Sequence, residues 1–319
     1  MTDIERNELT QNAMGGTELM ATWLKERLNP ELEKQFQIIC SRVREIDENR
    51  IPVLWLHDLP NDPESHHLAD PANVEKFARF VFVSNWQMNE YISTYKLPWE
   101  KCVVIKNAIS GLEYKPKPQD GIVRLIYHST PHRGLQILVP VFEHLQKTYP
   151  NIELDVYSSF KLYGWEQRDE PYKELFAQMD ANPNIHNHGT VSNDEIRAAV
   201  QKADVFAYPN IWPETSCLCA IEALMAGCLM VHPNYCALPE TAADWGINYQ
   251  WMPEANDHAN LFATVLESIV NTIATDKSVV ENMQHQQSIY YQNNYTWERR
   301  IPEWEQMLNH VLFEREHGK

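Results

Sequence analysis

Short apolar runs alternate with longer amphipathic segments along most of the chain. The runs at 36–40, 51–56, 80–83, 102–105, 122–127, 152–157, 185–188, 205–208 and 228–231 predict β-strands. Helical periodicity fills most of the gaps between them, and strands that alternate with helices predict parallel, doubly wound α/β sheets. From residue 257 onward the pattern is mainly helical, and it ends in an apolar stripe over 297–311 that Pro302 either kinks or delays.

Composition divides the chain into two domains and a final helix. Residues 113–120, Glu-Tyr-Lys-Pro-Lys-Pro-Gln-Asp, have the composition of a linker. We therefore expect one α/β domain over 1–112, a second over 121–292, and a carboxy-terminal helix over 293–319. A chain of 319 residues is long enough for two such domains.

The segment 204–231 reads as strand, loop, helix and strand. Pro209 and Pro213 end the apolar run, and Thr215 or Ser216 is expected to cap the helix that follows. The helix carries Glu222 and leaves at a glycine, while Glu214 stands at its mouth. The backbone amides at its start, those of Thr215, Ser216, Cys217 and Leu218, would then face an anion.

This segment resembles the Glu-(seven residues)-Glu signature of the family-4 retaining glycosyltransferases. The likeness includes the proline before Glu214, the small residues after it and the final Ala-Gly. It implies the GT-B fold, in which two Rossmann-like domains face a cleft and the last helix crosses back. It also implies that Glu214 contacts the donor sugar and that Glu222 holds the nucleotide ribose. The plainer reading is an amphipathic helix with two solvated glutamates.

Two sites in the first domain fit the same resemblance. Gly15 and Gly16 open a helix, where a glycine pair lets amides approach a phosphate. No strand precedes them in the pattern, so the amino-terminal domain is expected to be trimmed relative to the family. His57 follows the strand at 51–56, at the edge where α/β sheets bind ligands. It resembles the family's active-site histidine, although an ordinary loop histidine remains the alternative.

The turn after the strand at 122–127 resembles the family's diphosphate-binding turn. Arg133 stands at the family's Lys-Gly position, keeps its charge and can form two hydrogen bonds to phosphate. The sequence Arg133-Gly134-Leu135 resembles a subset of the family that has an Arg-Gly-Leu turn here. The family's earlier arginine is absent, and His128 or Ser129 stands near its place. Gly189 lies where the family approaches the nucleotide base.

Charge and cysteine spacing disfavour other classes of site. A net charge of −17 disfavours a long groove that follows nucleic-acid phosphates. The six cysteines contain no Cys-x-x-Cys pair, so buried free thiols are expected rather than zinc ligands. No Asp-x-Asp motif is visible, so we expect metal-independent transfer and no cofactor besides the donor. With no signal peptide and no apolar run of membrane-spanning length, a cytoplasmic location is expected.

The leading hypothesis is a retaining glycosyltransferase, with Glu214, Arg133 and His57 as its catalytic residues. Its donor would be a nucleoside diphosphate sugar, and its acceptor a glycan, a lipid or a small molecule. One alternative is a module that binds nucleotide sugars or glycans without catalysis. The other is a transferase acting on modified DNA bases, which the acidic balance disfavours.

Overall fold

A computed structural model describes residues 16–318, which divide into two compact units. The first unit comprises residues 16–110 together with 295–318, and the second comprises residues 111–294. Gly15 and the rest of the first fifteen residues lie outside the described part, as does residue 319. The chain passes from one unit to the other directly before the segment of linker composition.

Twelve α-helices and ten β-strands are described between residues 16 and 318. In the first half they are α1 (Gly16–Arg27), α2 (Pro30–Glu33), β1 (Phe36–Cys40), β2 (Ile51–Leu56), α3 (Pro71–Val74), β3 (Arg79–Phe82), α4 (Asn85–Tyr95), β4 (Cys102–Val104), β5 (Val123–Tyr127), α5 (Leu135–Gln146) and β6 (Ile152–Val156). They continue with α6 (Lys173–Ala181), β7 (Ile185–Asn187), α7 (Asn193–Lys202), β8 (Val205–Ala207), α8 (Leu218–Met225), β9 (Leu229–Pro233), α9 (Leu238–Ala242), β10 (Gly246–Tyr249), α10 (Ala255–Thr275), α11 (Ser278–Asn294) and α12 (Trp297–His317).

The first unit is built on a four-stranded parallel sheet in the order β1-β2-β3-β4. Strands β1, β2 and β3 are buried on both faces over most of their length, as expected of parallel strands covered by helices, while the edge strand β4 is partly exposed. The core against one face includes Leu54, Phe80, Phe82 and Tyr91. Ser84 is the N-cap of helix α4, and its hydroxyl accepts the amide hydrogen of Gln87.

Helix α12 belongs to this first unit. It runs without interruption through Pro302, so the late start considered from the sequence is wrong. The fully buried Trp304 packs edge-on against Trp55 of β2, with ring centroids 4.9 Å apart. Near the other end of α12, Glu314 pairs with Arg79 at 2.6 Å.

The second unit is built on a six-stranded parallel sheet in the order β10-β9-β8-β5-β6-β7. From β5 the chain adds β6 and β7 on one side, and then returns to add β8, β9 and β10 on the other. The order therefore reverses between β5 and β8, which are hydrogen-bonded neighbours. In open α/β sheets such a switch point opens a crevice at the carboxyl ends of the strands, where ligands bind.

Two buried lysines join distant segments of the second unit. The ammonium of Lys117 donates to the carbonyl oxygens of Val200, Gln201 and Ala226. Lys277 pairs with the fully buried Asp204 at 2.9 Å, and it also donates to two carbonyl oxygens. Because every one of these hydrogen bonds joins segments far apart in sequence, the lysines stabilise the fold of the unit.

Across residues 16–318, no helix combines the length and the apolar character needed to cross a membrane.

Candidate functional site

A buried ion pair occupies the switch point of the second unit. Arg133 follows β5 at the end of a short 3-10 turn, and its Nη1 lies 3.1 Å from Oε1 of Glu214. Tyr208, directly after β8, donates its hydroxyl hydrogen to the same carboxylate oxygen at 2.6 Å. Glu214 is 5% exposed and Tyr208 is fully buried. The strand order thus brings together groups that lie about 80 residues apart in the chain.

Burial and charge act in opposite directions on this group. Burial raises the pKa of Glu214, while the Arg133 guanidinium and the Tyr208 hydroxyl partly oppose that rise. Burial alone would lower the pKa of Arg133, but the neighbouring carboxylate raises it well above its usual value. Burial and Glu214 together raise the pKa of Tyr208, so its phenol keeps its proton and remains a donor.

A glycine allows the two loops to meet. Gly134 has φ of 110°, a conformation that side chains rarely adopt. A Cβ atom there would lie 2.1 Å from the carbonyl oxygen of Pro209, in the loop after β8. Only glycine fits this close approach, which holds Arg133 beside the loop that carries Glu214.

The turn after β5 carries a set of buried polar side-chain atoms that have no hydrogen-bond partner in the described part of the chain. They are Nε2 of His128, Oγ of Ser129, Oγ1 of Thr130, Nδ1 of His132 and Nε of Arg133. The Oγ atom of Ser158, after β6, is likewise buried without a hydrogen-bond partner. Buried polar groups are normally paired, because leaving one unpaired costs about 1–3 kcal/mol. Their concentration at one strand end marks a surface suited to a polar ligand.

Helix α8 starts later than the sequence pattern predicts. Its N-cap is Cys217, and neither Thr215 nor Ser216 caps it, so that prediction is wrong. The reason lies in the backbone: the first helical hydrogen bond runs from the Ile221 amide to the Cys217 carbonyl. Thr215 and Ser216 are partly exposed, Cys217 is buried and Leu218 is partly exposed.

Glu222 lies on the second turn of α8, away from the Arg133–Glu214 pair along the helix. Its carboxylate is 3.8 Å from Nη1 of Arg197, and its side chain is 16% exposed. Burial raises the pKa of Glu222 to about 7, against the lowering effect of His128 and Arg197. His128 itself is buried, and its carbonyl oxygen accepts the thiol hydrogen of Cys219 at 2.9 Å.

Gly189 follows β7 with φ of 63° and open space where a Cβ atom would stand. Beside it, His188 stacks on Tyr157 with ring centroids 4.4 Å apart and bonds Asp155 at 2.7 Å. The assignment of Gly189 to the nucleotide base stays a prediction.

His57 and Gly16 belong to the first unit, and their place in the site also stays a prediction. Gly16 is the first residue of α1. The His57 ring contacts Trp55 at 4.5 Å, and its amide donates to the Ser41 hydroxyl at 2.9 Å. Burial lowers the pKa of His57 to about 3, which keeps its imidazole neutral at neutral pH. A neutral imidazole can position a hydroxyl group but brings no charge.

Three contributors escaped sequence reasoning. Tyr208 reads as the last residue of an apolar strand, and nothing in the pattern marks its contact with Glu214. Thr130 and Ser158 carry only the weak signal of a hydroxyl residue after a strand. Within residues 16–318, no group of three potential ligand residues could hold a metal ion, and all six cysteines are free thiols.

Comparison with known proteins places residues 113–285, more than half of the chain, in the family of glycosyl transferases group 1. A lipopolysaccharide 1,2-N-acetylglucosaminetransferase of Salmonella typhimurium is 23% identical over an alignment 265 residues long, which covers 76% of this chain and 65% of that protein. The chain therefore spans about two thirds of the length of this relative.

Solved structures show the same fold at low identity. A glycosyltransferase from Rickettsia africae has a TM-score of 0.65 and 16% identity, over 98% of this chain and 84% of that one. The pneumococcal O-GlcNAc transferase GtfA, in complex with UDP and GlcNAc, has a TM-score of 0.63 and 14% identity, over 91% and 59%. These likenesses confirm the predicted GT-B fold class.

Proposed function

The chain belongs to the glycosyl transferases group 1, and from that premise we propose that it is a retaining glycosyltransferase with a nucleoside diphosphate sugar as donor. The observation that carries the proposal is the buried contact of Arg133 with Glu214 at the switch point. A guanidinium and a carboxylate lie side by side there, next to a turn rich in polar atoms without partners. The finer likeness to family 4 and its Arg-Gly-Leu subset is part of this proposal.

Catalysis in this proposal is mainly electrostatic. The bond between the sugar C1 and the diphosphate oxygen breaks, and negative charge grows on the departing nucleoside diphosphate. Arg133 and the amides at the start of α8 stabilise that charge. The hydroxyls of Ser129 and Thr130 supply neutral donors where the family has a second arginine. The acceptor oxygen bonds to C1 on the same face, and its proton passes to the leaving phosphate.

The two glutamates bind different parts of the donor. Glu214 accepts hydrogen bonds from the sugar hydroxyls, and Tyr208 keeps its carboxylate in place. Glu222, on the second turn of α8, accepts hydrogen bonds from the ribose. His57 and Gly16 are assigned to the sugar and the diphosphate. No metal ion is required in this scheme, because the cation and the amides carry the leaving-group charge.

The relatives indicate which substrates to try first. The Salmonella relative is named for N-acetylglucosamine transfer, and the pneumococcal structure holds UDP with GlcNAc. UDP-N-acetylglucosamine is therefore the first donor to try, and a saccharide the first acceptor.

The direct test measures release of free nucleotide from a panel of nucleotide sugars. We expect Arg133→Ala to lower turnover by about 100-fold, in the range seen when a group stabilising the transition state is lost. Glu222→Ala is expected to raise the donor KM. Arg315→Ala and Glu316→Ala, at exposed positions near the carboxyl end, are the matched controls. If neither site variant weakens donor binding or turnover, the site assignment is wrong.

One observation favours a module that binds without catalysis. The turn at 128–135 carries a single permanent cation, Arg133, and Glu214 already neutralises it. The same panel separates the two functions, because saturable binding without nucleotide release would support the binding module.

A further inference from the structure

An aromatic surface borders the Arg133–Glu214 pair. Trp212 is 43% exposed and meets the His132 ring edge-on at 4.7 Å. His132 in turn stacks on Phe160 at 5.2 Å, with an angle of 17° between the rings. We call Trp212, His132 and Phe160 the Trp212 platform. It assembles side chains from three loops, those after β5, β6 and β8.

The loop holds Trp212 rigidly although its ring is exposed. Asn210 is fully buried, and its side chain bonds both backbone groups of Trp212. Its Oδ1 accepts the Trp212 amide hydrogen at 3.0 Å, and its Nδ2 donates to the Trp212 carbonyl at 2.5 Å. A large aromatic group kept in water on a fixed backbone has already lost much of the conformational freedom that binding would otherwise remove.

The platform adjoins both members of the ion pair. His132 is the neighbour of Arg133, and Trp212 stands two residues before Glu214. Since Arg133 and Glu214 lie 3.1 Å apart, a sugar held by Glu214 would lie next to the exposed ring. Because the acceptor must approach C1 of that donor sugar, the exposed ring stands where an acceptor can be held.

We infer that the Trp212 platform binds the apolar face of a pyranose ring in a saccharide acceptor, an assignment that rests on the proposed function for its acceptor role. One face of a pyranose presents several C–H bonds whose partial positive charge suits the negative face of an aromatic ring. The polar edge of the sugar can bond the turn after β5. His132 suits this role as a neutral ring, since burial and the nearby Arg133 and Arg168 lower its pKa to about 4.

The platform is tested by binding, without donor turnover. The full chain is labelled with 5-fluorotryptophan and observed by fluorine NMR, where its ten tryptophans give separate signals. Trp212→Phe identifies the signal of Trp212, and Trp99→Phe that of a control tryptophan that is 62% exposed in the first unit. The probes are methyl β-D-glucopyranoside and methyl N-acetyl-β-D-glucosaminide. Glycerol, which has hydroxyls but no ring face, and uridine are the comparison probes.

We expect at least one pyranoside to shift the Trp212 signal saturably, with a Kd in the millimolar range, and to leave the Trp99 signal in place. Phe160→Ala, which removes the support of His132, is expected to weaken that binding about fivefold. The inference is overturned if neither pyranoside shifts the signal saturably, or if glycerol shifts it equally. A saturable shift by uridine overturns it too, because the platform would then hold the base.

A transfer assay separates acceptor from donor. With UDP-N-acetylglucosamine, Trp212→Ala is expected to raise the KM of the pyranoside acceptor about tenfold, or about 1.4 kcal/mol of binding. If the KM of the donor rises instead, the platform holds the donor sugar and the acceptor assignment is wrong. If no nucleotide sugar is turned over but the Trp212 shift persists, the proposed function fails while the saccharide site stands.

Discussion

Replacement of Arg133 by methionine probes the ion pair most directly. The charges of Arg133 and Glu214 are 3.1 Å apart, and at an effective dielectric constant of 20 this separation corresponds to about 5 kcal/mol. Desolvation of the two groups offsets part of that attraction, and the Arg133 side chain is 22% exposed. Breaking a buried pair leaves a charge uncompensated and costs about 3–5 kcal/mol. With the Tyr208 hydrogen bond retained, we expect Arg133→Met to lower the free energy of unfolding by about 2–4 kcal/mol at neutral pH.

The informative measurement is a double-mutant cycle. Glu214→Gln removes the carboxylate that Arg133→Met leaves unpaired, so the double variant should be more stable than Arg133→Met alone. Urea unfolding at several pH values, followed by circular dichroism and by tryptophan fluorescence, reports the transition that the variants shift. Arg299→Met is the control, because Arg299 pairs with Glu303 at an exposed position and its loss should cost less than about 0.5 kcal/mol.

The pH dependence of the stability of Arg133→Met provides a second test of the ion-pair argument. Without Arg133, the pKa of Glu214 rises further above its unfolded value of 4.5. An acid with a raised pKa in the folded state loses stability as pH rises, since the unfolded chain releases its proton first. The deficit of Arg133→Met should therefore be smallest below about pH 4.5, where Glu214 is protonated in both states, and should grow as pH rises. A deficit that is independent of pH, or a coupling energy near zero, would refute the ion-pair argument.

Three further changes have defined outcomes. Because the pKa of Glu222 is about 7 in the fold against 4.5 unfolded, stability falls by about 3 kcal/mol as pH rises through that window. Glu222→Gln should remove this fall, measured by urea unfolding against pH, and an unchanged slope would contradict the raised pKa of Glu222. Gly134→Ala should lower the free energy of unfolding by at least about 2 kcal/mol and weaken nucleotide binding, since the new Cβ would collide with Pro209. A thermal midpoint equal to that of the wild type would contradict the close approach of the two loops. Lys277→Met should lower the free energy of unfolding by about 3–5 kcal/mol, because it leaves Asp204 buried without its cation. A thermal midpoint equal to that of the wild type would show that this ion pair does not stabilise the unit.

Local features of the fold followed directly from the sequence. The apolar runs at 36–40 and 51–56 coincide with β1 and β2, since buried parallel strands need continuous hydrophobic residues. A capping box of Ser192 and Glu195 starts α7, and both of its hydrogen bonds lie within four residues, so a motif of this kind depends on local sequence alone. The prediction of a helix cap at Thr215 or Ser216 was wrong because tertiary packing overrides the local preference of these side chains. There the Glu214 carbonyl accepts the Ala237 amide, a partner from beyond β9.

The site itself depends on a fact that no local pattern contains, the order of strands in the second sheet. Periodicity identifies β5 and β8 as strands, but it gives no reason for them to be neighbours rather than β5 and β7. Once they pair, the turn after β5 and the loop after β8 must share one crevice, and Gly134 allows them to touch at Pro209. Arg133 then meets Glu214, and the phenol of Tyr208 finds the same carboxylate. Spacing could nominate Arg133 and Glu214 separately. Their contact, and the exposed Trp212 beside it, follow from the sheet order, so any change that disturbs the β5–β8 pairing should impair the ion pair and the platform together.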